Sequence, residues 1–121
     1  LNLIDSNILI YSSKEEYAYL RDVIISDKTC FSEVSKLEVL GYHRITDFEK
    51  EYFTKVFSLS PIFQISSNVI DLAISIRKQY NLGLADAIIG ATGLLFDLTI
   101  LTRNIKDFEK IVGLNVKNPV E

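Results

Sequence analysis

Apolar and polar positions along this chain alternate between short apolar runs and stripes of helical period. The opening "LNLI" is an apolar run that predicts a buried strand, and "KEEYAYLRDVIIS" behind it carries Tyr17, Leu20 and Ile24 at helical spacing, which predicts an amphipathic helix. "TCF" predicts a second short strand. Ser32 is then placed to cap the helix "EVSKLEVLGYH", which Gly41 begins to end. "TDFEKEYFTKVFS" predicts a helix with Phe48, Tyr52 and Val56 on one face and Thr46 or Asp47 as its cap; Pro61 separates it from the strand-like "IFQI". "SSNVIDLAISIRKQYN" is a further amphipathic helix, and "LADAIIGATGLLF" is apolar almost all round, so it must lie inside the domain. "LTIL" and "LNV" are the last strands, with a short helix "KDFEKI" between them.

Strands alternating with helices predict an α/β fold, a three-layer sandwich whose mostly parallel central sheet is covered by helices on both faces. With 121 residues, 48% of them apolar and 24% charged, the chain suffices for one compact domain, residues 1–121, without covalent staples. The single cysteine, Cys30, excludes an internal disulfide and a Cys-rich zinc site, and its setting in "KTCFS" is that of a small buried hydrophobe. No apolar stretch approaches the roughly 20 residues of a membrane span and no basic segment precedes an apolar one, so a cytoplasmic protein is expected. A net charge of −3 argues against a general nucleic-acid coat but permits a local basic patch.

In parallel sheets ligands gather at the carboxyl ends of the strands, and Asp5 follows the first strand directly. "DSN" supplies a carboxylate with two hydrogen-bonding side chains, Ser6 and Asn7; the same Asp could simply cap a helix or start a turn. Glu38 adjoins the apolar stripe of Val34, Leu37 and Leu40 or Gly41, which predicts a half-buried acid, or else a surface glutamate paired with Lys36 or Arg44. Asp86 falls in the first turn of the apolar helix, where the helix dipole favours an ionised carboxylate. Gly90 and Gly93 share its face and leave room for a backbone or a substrate. Thr102, Asn104 and Asp107 lie at the junction after the "LTIL" strand, Asp107 as a fourth acid or as a helix-start charge, Asn104 as an uncharged oxygen. Acids drawn into one cleft repel each other and need a cation, and oxygen-only donors select a hard ion, Mg²⁺ or Mn²⁺. The lone His43 is either a general base or an ordinary helix-end residue. Neither a Ser-His-Asp set nor a Gly-rich phosphate loop is present.

The order "LIDSNILIY", "SKLEVLGYH", "LGLADAIIGATGLLFDLTILTRNIKDFEKIVGL" resembles the PIN-domain family, in particular the VapC-like toxin ribonucleases of toxin–antitoxin pairs, over nearly the whole chain. Its most specific part is Asp86-Ala87-Ile88-Ile89, a buried strand, and Thr102-Arg103-Asn104 followed by Asp107-Phe108. The resemblance implies a Mg²⁺- or Mn²⁺-dependent endoribonuclease with Asp5, Glu38 and Asp86 as catalytic metal ligands and Asp107 or Asn104 at the fourth position. It implies further a cognate antitoxin that binds a helical groove and occludes the site.

On that reading Asp5, Glu38 and Asp86 should come within reach of one ion, and Asn7, Thr102 and Asn104 should orient the ligands. Arg103, Lys106 and Lys110 could bring RNA phosphates to the acids, or form a solvated charged face. Tyr17, Phe48, Tyr52 and Phe53 offer more apolar surface than one small sheet covers, so a homodimer is expected. Two other classes remain open. A phosphotransferase acting through aspartyl-phosphate wants an Asp where Asn7 stands, and a catalytically silent regulatory protein could keep the same fold.

Overall fold

The computed structural model describes residues 1–121. Five strands, β1 (Asn2–Ile4), β2 (Thr29–Ser32), β3 (Ile62–Phe63), β4 (Thr99–Leu101) and β5 (Asn115–Lys117), form one sheet in the order β3-β2-β1-β4-β5. Every pairing is parallel. The first strand is therefore the central one, with Leu3 opposite Cys30 on one side and Ile100 on the other.

Seven α-helices cover the sheet: α1 (Ser6–Ser12), α2 (Arg21–Ile24), α3 (Glu33–Leu40), α4 (Asp47–Leu59), α5 (Ser67–Tyr80), α6 (Leu84–Leu95) and α7 (Ile105–Phe108). Side chains alternate across a strand, so neighbouring strand residues enter opposite cores. Leu3, Cys30 and Ile100 pack with Val69, Ile76, Ile89 and Phe108 from α5, α6 and α7. Ile4, Phe31 and Leu101 pack with Ile8, Leu9, Ile24, Phe53 and Phe57 from α1, α2 and α4. Two cores on two faces make the three layers. α3 contributes Val34 to the first core and Val39 to the second, so it lies across the end of the sheet rather than on one face.

Local chemistry accounts for the helix boundaries. Ser32 caps α3 through Val34 N–H, and Thr46 with Glu49 closes a reciprocal capping box on α4. Asn81, at φ 54°, ends α5 in the left-handed conformation and turns the chain into α6. The buried Cys30 thiol donates to Asn2 C=O, and burial pushes its pKa up to about 11, as expected of a structural cysteine. No helix is long and apolar enough to cross a membrane.

Several expectations are corrected. The residues after Asp5 form the helix α1, and "KEEYAYLRDVIIS" is a 3-10 segment, Glu15–Leu20, followed by the single turn of α2. On α4 the buried face is Phe53, Val56 and Phe57, whereas Phe48 is exposed. Tyr17 and Tyr52 are half-buried against the chain's own second core, so three of the four aromatic residues that suggested a homodimer are already covered.

Candidate active site

Asp5 stands where β1 ends and α1 begins, and its backbone N–H donates to Leu101 C=O, which joins the ends of β1 and β4. The residue is only 5% exposed. One oxygen, Oδ1, accepts from Ser6 N–H at 2.8 Å; the other, Oδ2, accepts from the Thr102 hydroxyl at 2.6 Å. The residue thus caps α1 through Oδ1, while Thr102 holds Oδ2. Burial raises its pKa to about 6, and the charges of Asp86 and Glu38 add to that, against the two hydrogen bonds.

Glu38 projects from α3 toward α1. Its Oε1 accepts from the Ser6 hydroxyl at 2.8 Å, and Ser6 Oγ lies 3.0 Å from Ser35 Oγ. Glu38 is exposed rather than half-buried, because the inward face of α3 is Val34, Ser35 and Val39, and Leu37 faces solvent. Neither Lys36 nor Arg44 pairs with it; the chain's two ion pairs are Arg21–Glu15 and Lys110–Asp107.

Asp86 occupies the first turn of α6, half-buried. Its pKa is raised, mainly by burial, then by the charges of Asp107 and Glu38. Asn104 sits between the acids: its amide donates one hydrogen to Asp86 Oδ2 at 3.2 Å and the other to Asp107 Oδ2 at 3.1 Å. Asp107 has its pKa lowered, first by Asn104 and then by Lys110. Asn104 N–H donates to Thr102 Oγ1 at 2.9 Å, so Asn104, Thr102 and Asp5 form one continuous chain of hydrogen bonds. Asn7 receives only a long 3.5 Å contact from Arg103 N–H.

Asp5, Glu38, Asp86 and Asp107 are thus neighbours by their mutual charge effects. In kind, the donor set fits a hard divalent cation: every donor is a carboxylate or amide oxygen, and Asp5, Glu38 and Asp86 have no cationic partner. The expected gathering of three acids within one ion's reach is not met by the side chains as they lie. His43 is exposed in the turn after α3, packed edge-on to Tyr42, and takes no part. Gly90 and Gly93 face the core: an added Cβ would meet Ile111 Cδ1 at 2.7 Å at the first, and Ile100 Cδ1 at 2.7 Å and Leu114 Cδ1 at 2.9 Å at the second. They serve close packing of α6, not substrate.

Sequence reasoning passed over Ser35 and Tyr11. Ser35 is fully buried three positions before Glu38 on the face toward Ser6. The Tyr11 ring, four positions after Asn7 on α1, lies under the Arg103 guanidinium, 4.8 Å from its centroid. A polar residue inside an apolar stripe was the signal for Ser35; without α1, nothing marked Tyr11. A pocket of about 320 Å³ between α1, α3 and α4 shares Glu38 with the acids and is otherwise lined mainly by apolar side chains, among them Ile10, Tyr42 and Ile45.

Fold and site together define a doubly covered, all-parallel α/β protein with an acidic cluster at the carboxyl ends of its strands. The PIN domain family profile matches residues 3–114, and the chain belongs to the PIN domain family. No curated protein matches it by sequence. Among solved structures, a chain of a toxin–antitoxin complex from Klebsiella pneumoniae is 31% identical, with all of this chain and 99% of that one covered and a TM-score of 0.77. VapBC2 from Rickettsia felis, bound to a DNA fragment from its promoter, shares the fold at 17% identity, 97% coverage of each chain and a TM-score of 0.79. FitAcB from Neisseria gonorrhoeae does so at 21% identity, 98% coverage of each chain and a TM-score of 0.79.

Proposed function

We propose that this protein is a Mg²⁺- or Mn²⁺-dependent endoribonuclease, the toxin of a toxin–antitoxin pair. The observation that carries the reading is a buried Asp5, without any cationic partner, beside Asp86 and Glu38 at the strand ends of a PIN domain. A structural acid so placed destabilises the fold; a cation binding to it offsets the repulsion. The likeness to a chain of the Klebsiella pneumoniae complex supports the toxin assignment.

Asp5, Asp86 and Glu38 would hold the cation, with Asp107 as the fourth acid. A cation held there would supply positive charge beside a scissile phosphate and would make a nearby water more acidic. Thr102 fixes the Asp5 carboxylate and Ser6 fixes that of Glu38. Asn104 donates one amide hydrogen to Asp86 and the other to Asp107, so it holds both acids in place and partly offsets the repulsion between them. A Glu38 oxygen not bound to Ser6 is free to accept a proton from water.

The antitoxin belongs to the same proposal. The pocket beside Glu38, with exposed Ile10 and Tyr42 at its edge, suits an apolar side chain of a bound helix whose neighbours would then cover the acids. Homodimerisation is also proposed, on Phe48, the one of the four expected aromatic residues that stays exposed, with light scattering at micromolar concentration as its measure. The function itself is tested by incubating purified protein with single-stranded RNA. Cleavage with Mg²⁺ or Mn²⁺ that stops in chelator supports the reading, and RNA left intact by the wild type under both ions overturns it in favour of a silent regulatory protein.

A further inference from the structure

The three basic residues after β4 differ in what already holds them. Lys110 is drawn to Asp107 at 3.4 Å, and Lys106 is exposed and makes no ion pair. Arg103 is also exposed and makes neither an ion pair nor a guanidinium hydrogen bond, although its chain neighbours Thr102 and Asn104 bind Asp5, Asp86 and Asp107. Coulomb attraction alone would fold it onto those acids. It is held off them by Tyr11, over whose ring its guanidinium lies at 4.8 Å, and its backbone N–H faces Asn7 one turn earlier on the same helix. Tyr11 is in turn braced edge-on by Tyr17, ring centroids 4.7 Å apart.

We infer that Arg103, stacked on Tyr11, is the phosphate anchor of the RNA site. It takes a backbone phosphate adjoining the scissile one and so positions the strand over the acids. The inference rests on the ribonuclease reading above. A guanidinium held over an aromatic ring, with no ion pair or hydrogen bond of its own, keeps its donors free for two oxygens of one phosphate and has less freedom to lose on binding than an unsupported side chain. Its placement also answers an electrostatic difficulty: an acidic cluster repels a polyanion, and a cation that does not neutralise the cluster must stand at its rim.

The test compares wild type with Arg103→Gln, Arg103→Lys, Tyr11→Leu and Tyr11→Phe; Arg103 is exposed, and because Tyr11 is half-buried against the second core, thermal unfolding of each variant is measured alongside and Tyr11→Phe keeps the packing. Steady-state cleavage of a labelled single-stranded RNA is measured with Mn²⁺ over a range of salt. Arg103→Gln is expected to raise KM about tenfold with kcat within twofold, and to reduce the salt dependence of log KM by about 0.7, the share of one phosphate contact on a single strand. Tyr11→Leu should reproduce much of that loss, Tyr11→Phe should restore wild-type behaviour, and Arg103→Lys should fall between because a lysine keeps charge without the planar fork. Wild-type cleavage with KM and salt slope unchanged in Arg103→Gln overturns the anchor alone. A loss confined to kcat also overturns it, since that would put Arg103 at the reacting phosphate. Failure of the wild type to cleave overturns the ribonuclease reading and this inference with it.

Discussion

The Thr102 hydroxyl donates to Asp5 Oδ2 at 2.6 Å across 97 positions of sequence, and it is the hydrogen bond that most favours an ionised Asp5 in a buried setting. Replacing it with the isosteric Thr102→Val leaves a buried carboxylate short of a partner. The variant should lose about 1–3 kcal/mol of stability at pH 7.5 and less at pH 5, where Asp5 is protonated in the fold. Its cleavage should need a higher pH than that of the wild type. Denaturant unfolding at the two pH values, beside a pH–rate profile, checks both parts.

In the absence of metal, stability should fall as pH rises. Asp5 has a pKa of about 6 in the fold against an ordinary 3.8, so the unfolded chain gives up this proton first. Its extra stability is complete below 3.8 and gone above 6, a difference of about 3 kcal/mol across the window. Asp86, also raised, adds to the fall, while Asp107, lowered, opposes it from an exposed position. In chelator, Tm should decrease between pH 5 and 7.5, and by less in Asp5→Asn. Saturating Mg²⁺ should raise Tm more at pH 7.5 than at pH 5, because the cation binds ionised carboxylates.

Asp86→Asn keeps size and a carbonyl oxygen but removes one crowded charge. RNA cleavage and Mn²⁺ affinity should be largely lost, while the chelated variant should be as stable as the wild type at pH 7.5 or more so. A helix-start residue serving only the dipole would behave oppositely, with activity kept and up to about 1 kcal/mol lost. Calorimetric Mn²⁺ titration beside thermal unfolding separates the two.

Alanine at Gly93 should destabilise more than alanine at Gly90. The added methyl at Gly93 meets two side-chain tips under 3 Å, Ile100 and Leu114, whereas at Gly90 it meets only Ile111 that closely. Overpacking at position 93 should outweigh the better helix propensity of Ala, for a net loss of about 1–2 kcal/mol. Cleavage per folded molecule should be unchanged, as measured after correcting for the active fraction, because neither glycine meets substrate.

The strands β1, β2 and β4 were legible because each is a short apolar run whose alternate residues feed two cores, and Asp86 stood out in its place because it is an acid opening an apolar helix. α1 was hidden by its own chemistry. Ser6 and Ser12 face inward on it, and Asp5-Ser6-Asn7 has the composition of a turn, so no apolar stripe marked a helix seven residues long. The same cause displaced Glu38: the expected stripe used Leu37, which is 70% exposed, in place of Ser35, which is buried because it meets Ser6. On α4 the stripe was set a position off, since Phe48 and Tyr52 match the helical period as well as Phe53, Val56 and Phe57 do. Pairings between serines, and between Tyr11 and Arg103, depend on elements far apart in sequence, which a pattern along one chain does not relate.

The central position of β1 fixes the order in which this domain can come alive during synthesis. Its first strand leaves the ribosome with both edges open; one is closed by β2 within some thirty residues, and the other waits for β4, whose partner residues are Thr99 to Leu101. Until then Asp5 lacks Thr102 and the Leu101 carbonyl that fixes its backbone. Pairings this distant in sequence form late. A growing chain therefore carries Asp5 and Glu38 as unassembled acids until β4 and Thr102 have emerged, and the cluster is completed only when nearly the whole domain is out.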